Sequence, residues 1–359
     1  GLRWRDSGSV MINQIIVLLP FFMARQYLST ETGMRDLLLA LMLAGLAYTL
    51  PSLIEIRLSP QMNIWVYGFF QHSFEQMMRA GGYRPIVFLP HGLWLAFFLM
   101  SSLLAATALM RAAQNGERIR LALAVFYLFM VLVLCKSLAS LVYGLVFTPV
   151  VALAPLRWQI RIALCLALVA VIYPMLRNLG LVPTDAILVQ AEAYSAERAQ
   201  SLGYRFDNDR ILLARAAEKP WFGWGGWGRN LIHHMETGQI LSIPDGRWII
   251  VFGAFGWFGY IAEMGLLAAP LVMLAYEVRR NRGLGISPYV APIALLLAAT
   301  MLDMLLNATL IPFTWICAGA VLGYAERLRY ADFDHPKPAL FGGTQAMAAR
   351  PATGRRSVM

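Results

Sequence analysis

The distribution of apolar positions divides the chain into long hydrophobic stretches separated by polar segments. A helix needs roughly 20 apolar residues to cross the hydrocarbon core of a bilayer. Stretches close to that length lie at 10–28, 35–54, 91–110, 119–135, 137–156, 158–177, 249–276, 287–304 and 309–325. The fourth and fifth form one apolar run interrupted only by Lys136 and Ser137, and a run of that length fits two helices. The pattern therefore predicts an all-α polytopic membrane protein with about nine transmembrane helices.

The composition supports a lipid environment for most of the chain. Of the 359 residues, 59% are hydrophobic and only 14% are charged, whereas about a quarter of the residues in soluble domains are charged. A soluble chain of this length would have too few polar groups to cover its core. The three cysteines lie inside apolar runs, without the spacing of a metal site or a disulfide framework. We therefore expect neither a metal nor another cofactor.

Basic residues outnumber acidic ones by 30 to 20, and most are arginines between the apolar stretches. Four clusters fall on one side of the predicted bundle: Arg111, Arg118 and Arg120; Arg157 and Arg161; Arg279, Arg280 and Arg282; and Arg327 and Arg329. Short cytoplasmic loops carry such an excess of Lys and Arg, so this side is predicted to be cytoplasmic, and no nucleic acid partner is expected. Arg3 and Arg5 fall on the opposite side, which hints at further sequence upstream.

This orientation divides the chain into four parts. Residues 1–179 are predicted to form the N-terminal transmembrane helices, with a periplasmic loop at 55–90. Residues 180–248 form one large extracytoplasmic loop in the periplasm, and 249–330 form the C-terminal transmembrane helices. Residues 331–359 have no apolar period and are predicted to be a disordered cytoplasmic tail. The large loop is the one substantial polar segment, so the chemistry is expected there.

The large loop contains a short predicted helix and then a glycine-rich stretch. The helix is predicted at 209–218, because aspartates precede its apolar positions and Pro220 follows it. Gly223, Gly225 and Gly228 satisfy the spacing G-x-G-x-x-G, but no strand precedes them and no βαβ unit surrounds them, which excludes a dinucleotide site. We expect these glycines to let the backbone turn tightly beside a ligand or a helix end.

Aromatic and histidine residues in the same loop have more than one interpretation. Trp224 and Trp227 are either interfacial anchors, as tryptophans near headgroups often are, or platforms for sugar rings. His233 and His234 have only Glu236 nearby, which is too few ligands for a metal site.

Arg210 is followed by an apolar stretch and then by Pro220-x-x-Gly223-x-Gly225. This order resembles the O-antigen ligase and O-antigen polymerase superfamily, and is closest to its exopolysaccharide polymerase-like members. In that family a variable insert follows, and then His-Asn, with glycines eleven and fourteen positions after the His.

The second half of the family pattern is matched with departures. Asp245 stands where the family has His, and Gly246 stands where it has Asn. Gly256 and Gly259 fall at the two glycine positions, while Ala254 occupies a place where the family often has Glu.

The resemblance implies a GT-C-like membrane glycosyltransferase in the bacterial cytoplasmic (inner) membrane, with its active face in the periplasm. Its reaction moves a glycan from a polyprenyl-diphosphate-linked donor to a hydroxyl of a glycan or lipid-linked acceptor. Cationic side chains neutralise the leaving diphosphate, so no metal is required. Membrane lipid and polysaccharide export or chain-length proteins are the further expected partners.

The candidate site residues follow from this chemistry. Guanidinium groups bind phosphate oxygens bidentately, and an acceptor hydroxyl needs a general base. Asp245 is the first candidate for the base and His233 or His234 the second, while Arg210 takes the role of the family's arginine. The expected substrate-binding residues are Arg215, Arg229, Arg247, Lys136, Arg84, His91, Trp224, Trp227, Gly223 and Gly225.

Two other functions stay open from the residues alone. A transporter of a lipid-linked or anionic solute would need a polar path across the bilayer, and the predicted spans hold few charges besides Lys136 and Glu263. A non-catalytic scaffold in a polysaccharide export assembly would keep the shape of the family after losing its His.

Overall fold

The computed structural model describes residues 4–79, 81–194, 196–281 and 285–330. Of these described residues, 75% are helical. The tail predicted at 331–359 lies outside the described residues, as do Arg3 and Arg282.

Helices coincide with all nine apolar stretches, and three further helices lie in the polar segments. In chain order the helices are α1 (Trp4–Tyr27), α2 (Glu31–Leu58), α3 (Met62–Tyr67), α4 (Gly92–Ala112), α5 (Asn115–Leu134), α6 (Leu138–Leu153), α7 (Leu156–Asn178), α8 (Thr184–Tyr194), α9 (Ala196–Ala217), α10 (Arg247–Arg280), α11 (Val290–Asp303) and α12 (Pro312–Tyr330). A short 3-10 helix (Phe74–Met77) precedes a two-stranded antiparallel pair of β1 (Met78–Arg79) and β2 (Gly82–Tyr83).

Five helices are long and apolar enough to cross a membrane, namely α1, α2, α4, α7 and α10. Of the others, α6 and α11 are apolar but shorter. The chain therefore has several candidate spans, and the count of nine stays a prediction.

One end of the helix bundle, which we call the loop end, gathers the segments 59–91, 135–137, 179–246 and 304–311. The Lys136 ammonium donates to the carbonyl of Arg79 at 2.9 Å, which joins the α5–α6 junction to the segment before α4. The backbone N–H of Arg247 donates to the carbonyl of Met304 at 2.9 Å. The predicted loop 55–90 and the large loop therefore lie at the same end.

The opposite end, which we call the arginine end, holds the turns at 28–30, 113–114 and 154–155 and the link from α10 to α11. The Arg111 guanidinium donates to the carbonyl of Val151 at 2.8 Å and joins α4 to α6. The Arg327 side chain donates to the Ser29 hydroxyl at 2.8 Å and joins α12 to the first of these turns. The described members of the four predicted arginine clusters all lie at this end.

The large loop is more helical than predicted. A helix was expected at 209–218, but α9 begins at Ala196 and ends at Ala217. The buried positions Phe206, Leu212 and Ala216 follow helical spacing, and this stripe starts before the aspartates that the sequence suggested as caps. The aspartates therefore lie inside a helix.

Helix α10 is broken at Gly256, where φ is 63° and ψ is −160°. The Arg247 guanidinium donates to the Glu263 carboxylate at 2.8 Å. In a straight helix, residues 16 positions apart are separated by about 24 Å, which is beyond the reach of the two side chains. The two halves of α10, 247–255 and 257–280, therefore meet at a sharp bend rather than forming the single span predicted at 249–276.

Candidate functional site

The glycine-rich stretch of the large loop packs directly against the break in α10. Two N–H groups of the stretch, those of Trp224 and Gly225, donate to the carbonyls of Gly253 and Ala254 at 2.9 and 2.8 Å. In return, N–H groups of the second half of α10 donate to carbonyls of the stretch: Trp257 to Pro220 at 2.8 Å and Phe258 to Trp221 at 3.2 Å. The stretch thus satisfies backbone groups that the break leaves without helical partners.

Two of the glycines in the family pattern are explained by this contact. A Cβ atom on Gly223 would lie 2.4 Å from the carbonyl carbon of Ala254, and one on Gly256 would lie 2.4 Å from that of Trp221. Both residues also have positive φ, which a side chain disfavours. Gly223 and Gly225 thus turn the backbone beside the break in α10, and their predicted role in binding substrate stays a prediction.

Asp245 lies just before the first half of α10 and forms an ion pair with Arg205. The Arg205 Nε and an Asp245 carboxylate oxygen are 3.4 Å apart, and the two side chains are 27% and 32% exposed. A further Arg205 nitrogen donates to the Leu306 carbonyl at 3.3 Å. The pair is accessible to a ligand, while the contact with Leu306 holds the guanidinium in place.

Backbone anchors on both sides position Asp245. The buried Asn208 side-chain oxygen accepts from the N–H of Ile243 at 2.8 Å, and the N–H of Arg247 donates to Met304. The end of the large loop is therefore fixed at Ile243 and at Arg247, two residues before and two residues after the carboxylate.

A second carboxylate, Asp209, lies one helical turn after Arg205 and is only 5% exposed. The pKa of Asp209 is raised to about 7, mainly by burial and also by the charge of Asp245, while Arg177 and Arg205 oppose the shift. Burial also raises the pKa of Asp245, against the lowering effect of Arg205. Two carboxylates in different environments thus share one arginine.

His91, in the segment before α4, is close enough to Arg205 to be affected by its charge. The charge of Arg205 acts on His91, whose pKa is lowered to about 4, first by burial and then by His72, Arg84, Arg205 and Arg79. His91 caps α4, since its Nδ1 accepts from the N–H of Leu93 at 2.9 Å. His91 is therefore neutral at physiological pH.

Arg84 and Lys136 were both predicted to bind substrate. Each donates a hydrogen bond to the backbone of the segment that holds the other. Arg84 is buried and donates to the Lys136 carbonyl at 3.1 Å. Lys136 has positive φ and sits at the junction of α5 and α6, so it lies at a helix end rather than inside a continuous span. Both cations lie at the loop end, on the side of the bundle that holds Asp245.

The four arginines that the sequence predicted for the site in the large loop have other partners than Asp245. Arg210 is 77% exposed and faces Asp207, because it follows the inward-facing Asp209 by one residue and is rotated by about 100° around the helix. Arg215 pairs with Glu218, and Arg247 pairs with Glu263. The Arg229 side chain donates to the Gly226 carbonyl at 3.1 Å. The cation next to Asp245 is Arg205, and a role of the four predicted arginines in binding substrate stays a prediction.

The remaining predicted residues lie apart from the ion pair. His233 is exposed and forms an isolated β-bridge with Ile240. The Trp224 indole N–H donates to the Arg215 carbonyl at 2.8 Å, and the Arg215 guanidinium stacks 3.4 Å from the ring centroid. Trp227 is 60% exposed. Trp224 is thus packed against cations, while Trp227 keeps an open face.

Sequence reasoning missed Arg205 and Asp209. The signal was helical phase: Arg205, Asp209 and the buried Leu212 are spaced by four and three residues, which places them on one face of a helix. The helix predicted at 209–218 was too short to include Arg205.

The described side chains at the loop end are not arranged as the ligands of a metal ion. In the part of the chain that the structure describes, no group of three or more His, Cys, Asp or Glu is arranged to hold a metal ion.

No family model matches the chain, and no curated protein matches it.

Proposed function

We propose that this chain is a membrane glycosyltransferase that moves a glycan from a polyprenyl-diphosphate-linked donor to a sugar hydroxyl, as an O-antigen or exopolysaccharide polymerase or ligase does. The reaction takes place at the loop end, on the periplasmic face of the inner membrane. The observation that carries the proposal is the partly exposed ion pair of Arg205 and Asp245, with the buried Asp209 beside it.

In the proposed reaction the acceptor hydroxyl oxygen attacks the anomeric carbon of the donor sugar. The bond from that carbon to the diphosphate oxygen breaks, and its electron pair leaves with the lipid diphosphate. Asp245 accepts the hydroxyl proton, because its carboxylate is accessible and a base must first be within hydrogen-bond reach. Arg205 binds the diphosphate oxygens, since a guanidinium stays charged and bidentate.

The resemblance to the ligase and polymerase superfamily supports this assignment in a revised form. Asp245 occupies the position of the family's His. Of the predicted catalytic residues, it is the one that forms an ion pair with an arginine. The arginine that we assign to the diphosphate is Arg205, five residues before the one that the family pattern indicated.

The test is glycan analysis in a strain that lacks the gene and carries variants of it. We expect Asp245→Asn to lower polymer formation by roughly 100-fold or more, the typical contribution of a general base. Arg205→Gln removes the cation that binds the leaving diphosphate, and we expect both variants to lose polymer and to leave lipid-linked donor unconsumed. Asp207→Asn is the matched control, because Asp207 lies on the same helix and is 67% exposed.

Membrane-fraction blots establish that each variant is inserted at the level of the wild type. Normal polymer from both Arg205→Gln and Asp245→Asn would refute the proposal.

A second candidate function, transport of an anionic solute, is favoured by the break in α10. Broken helices with short half-helices line the substrate sites of many transporters. Purified protein in vesicles separates the two functions: movement of a lipid-linked glycan across the bilayer without formation of a new glycosidic bond would favour the transporter.

A further inference from the structure

We propose that the groove between α7 and α10 at the arginine end binds an anionic phospholipid of the surrounding membrane. Two adjoining cavities form this groove, with volumes of about 590 and 580 Å³. Arg157 and Arg161 line both cavities, so they connect them. The groove lies at the end of the bundle opposite to Arg205 and Asp245, and its assignment does not depend on the proposed transfer reaction.

The upper part of the groove is cationic. Arg157, Arg161 and Arg279 project from α7 and from the last turn of α10, and all three are exposed. The nearest acidic side chain on α10, Glu277, is fully buried and forms ion pairs with Arg280 and Arg329 instead. The charge of the groove is therefore positive and complements a phosphate diester.

The lower part of the groove is apolar and opens to the outside of the bundle. Ile160, Leu164, Val272 and Ala275 line it between the two helices. Val272 is 48% exposed, which is the behaviour of a side chain that faces lipid tails rather than protein. A free phosphate ion would use the cationic part alone, whereas a phospholipid uses both parts.

Aromatic side chains mark the level of the lipid headgroups at this groove. Trp158 and Tyr276 line the cavities and are 56% and 58% exposed. The Arg161 guanidinium lies 4.9 Å from the Trp158 ring centroid, which holds it at the mouth of the groove. Tryptophan and tyrosine concentrate at the boundary between headgroups and acyl chains, so the cations meet the phosphate while the apolar wall meets the chains.

The test is a titration of the purified protein in detergent with dioleoyl-phosphatidylglycerol, followed by native mass spectrometry. We expect the wild type to bind this lipid roughly tenfold more tightly than dioleoyl-phosphatidylcholine, since each nearby arginine favours an anionic headgroup. Arg161→Gln with Arg279→Gln should abolish the preference. The matched control is Arg118→Gln with Arg120→Gln, which removes two exposed arginines from the same end but outside the groove.

Two further measurements identify the ligand as lipid. Ala275→Trp fills the apolar part and leaves every cation in place, so it should weaken phosphatidylglycerol binding to the level of phosphatidylcholine. Inorganic phosphate at the same concentration should not displace the lipid. Equal affinity for the two lipids, an equal loss in the control variant, or full displacement by phosphate would each overturn the proposal.

Discussion

Asp209 is a carboxylic acid held in a place where its charged form is disfavoured. It is 5% exposed, and no described side chain donates a hydrogen bond to it. Of the two arginines that lower its pKa, Arg205 is paired with Asp245 instead. At a pKa of about 7 the group is partly protonated under physiological conditions, so its charge changes with pH in this range.

The raised pKa of Asp209 predicts how stability depends on pH. In the unfolded chain an aspartate titrates near 3.9, so the folded state binds the additional proton between about pH 4 and pH 7 and loses stability as pH rises through that window. An asparagine side chain at this position mimics the neutral acid at every pH. We therefore expect Asp209→Asn to raise the melting temperature of the detergent-solubilised protein at pH 8, and to have little effect at pH 4.

The control for this measurement is Asp207→Asn, which removes an exposed carboxylate two residues away. Identical pH profiles of the melting temperature for the wild type and Asp209→Asn would contradict the assignment of a raised pKa to this group.

The family pattern and the structure lead to different expectations for Arg210. The family resemblance predicts that Arg210 is needed for glycan transfer, whereas the structure places its guanidinium at the surface, 3.4 Å from Asp207. An exposed pair of this kind contributes about 0–1 kcal/mol. We expect Arg210→Gln to keep polymer formation within roughly twofold of the wild type, measured beside Arg205→Gln in the same strain. Loss of polymer from Arg210→Gln alone would return the family role to Arg210.

Among the elements, α10 and the glycine-rich stretch behave as one unit. The four backbone hydrogen bonds between them require both glycine positions, because any side chain at Gly223 or Gly256 would overlap backbone of the other segment. The two halves of the family pattern, which are separated by a variable insert in sequence, are therefore two sides of one contact.

A glycine substitution tests this contact. Gly256→Ala places a Cβ atom 2.4 Å from the carbonyl carbon of Trp221, in a backbone region that is almost restricted to glycine. We expect a loss of roughly 2 kcal/mol or more in stability, seen as a lower melting temperature. Gly265→Ala is the matched control, since Gly265 lies in the second half of α10 with open space around it and alanine favours a helix.

Equal melting temperatures for Gly256→Ala and Gly265→Ala would contradict the break in α10.

The sequence predicted the long helices well and the break poorly, for one physical reason. Apolar runs of about 20 residues indicate helices by length alone, and all nine predicted runs are helical. The residues on either side of Gly256 are apolar in the same way, so the hydrophobic pattern continues through the bend. The glycine spacing was visible, but its meaning depends on a partner segment about 30 residues earlier in the chain.

The candidate site was predicted only in part, because its residues are far apart in sequence and meet only in the fold. Asp245 and Arg205 are 40 positions apart, and no local pattern joins residues at that separation. Arg215, Arg229 and Arg247 were attractive because they lie in the same loop as Asp245. Their side chains are nonetheless engaged with Glu218, Gly226 and Glu263, which are local or helix-break contacts that only the fold reveals.

At the scale of the whole molecule, the two ends of the bundle differ in how charge is distributed. The short turns at the arginine end are flanked by arginines such as Arg111, Arg118 and Arg157, while the short link 304–311 at the loop end carries no charged side chain. Orientation in membranes follows the Lys and Arg of short loops, and long loops cross largely regardless of charge. The basic residues of the large loop therefore do not offset this signal.

The distribution predicts that the loop end faces the periplasm. Cysteine substitutions in a background where Cys135, Cys165 and Cys317 are replaced by alanine test it: Thr237→Cys lies at the loop end and Gln114→Cys at the arginine end, and both positions are exposed. In intact spheroplasts, a membrane-impermeant maleimide should label Thr237→Cys and leave Gln114→Cys unlabelled until the membrane is opened. The reverse pattern would place Arg205 and Asp245 in the cytoplasm, where a periplasmic acceptor never meets them, and would rule out the proposed transfer reaction on that face.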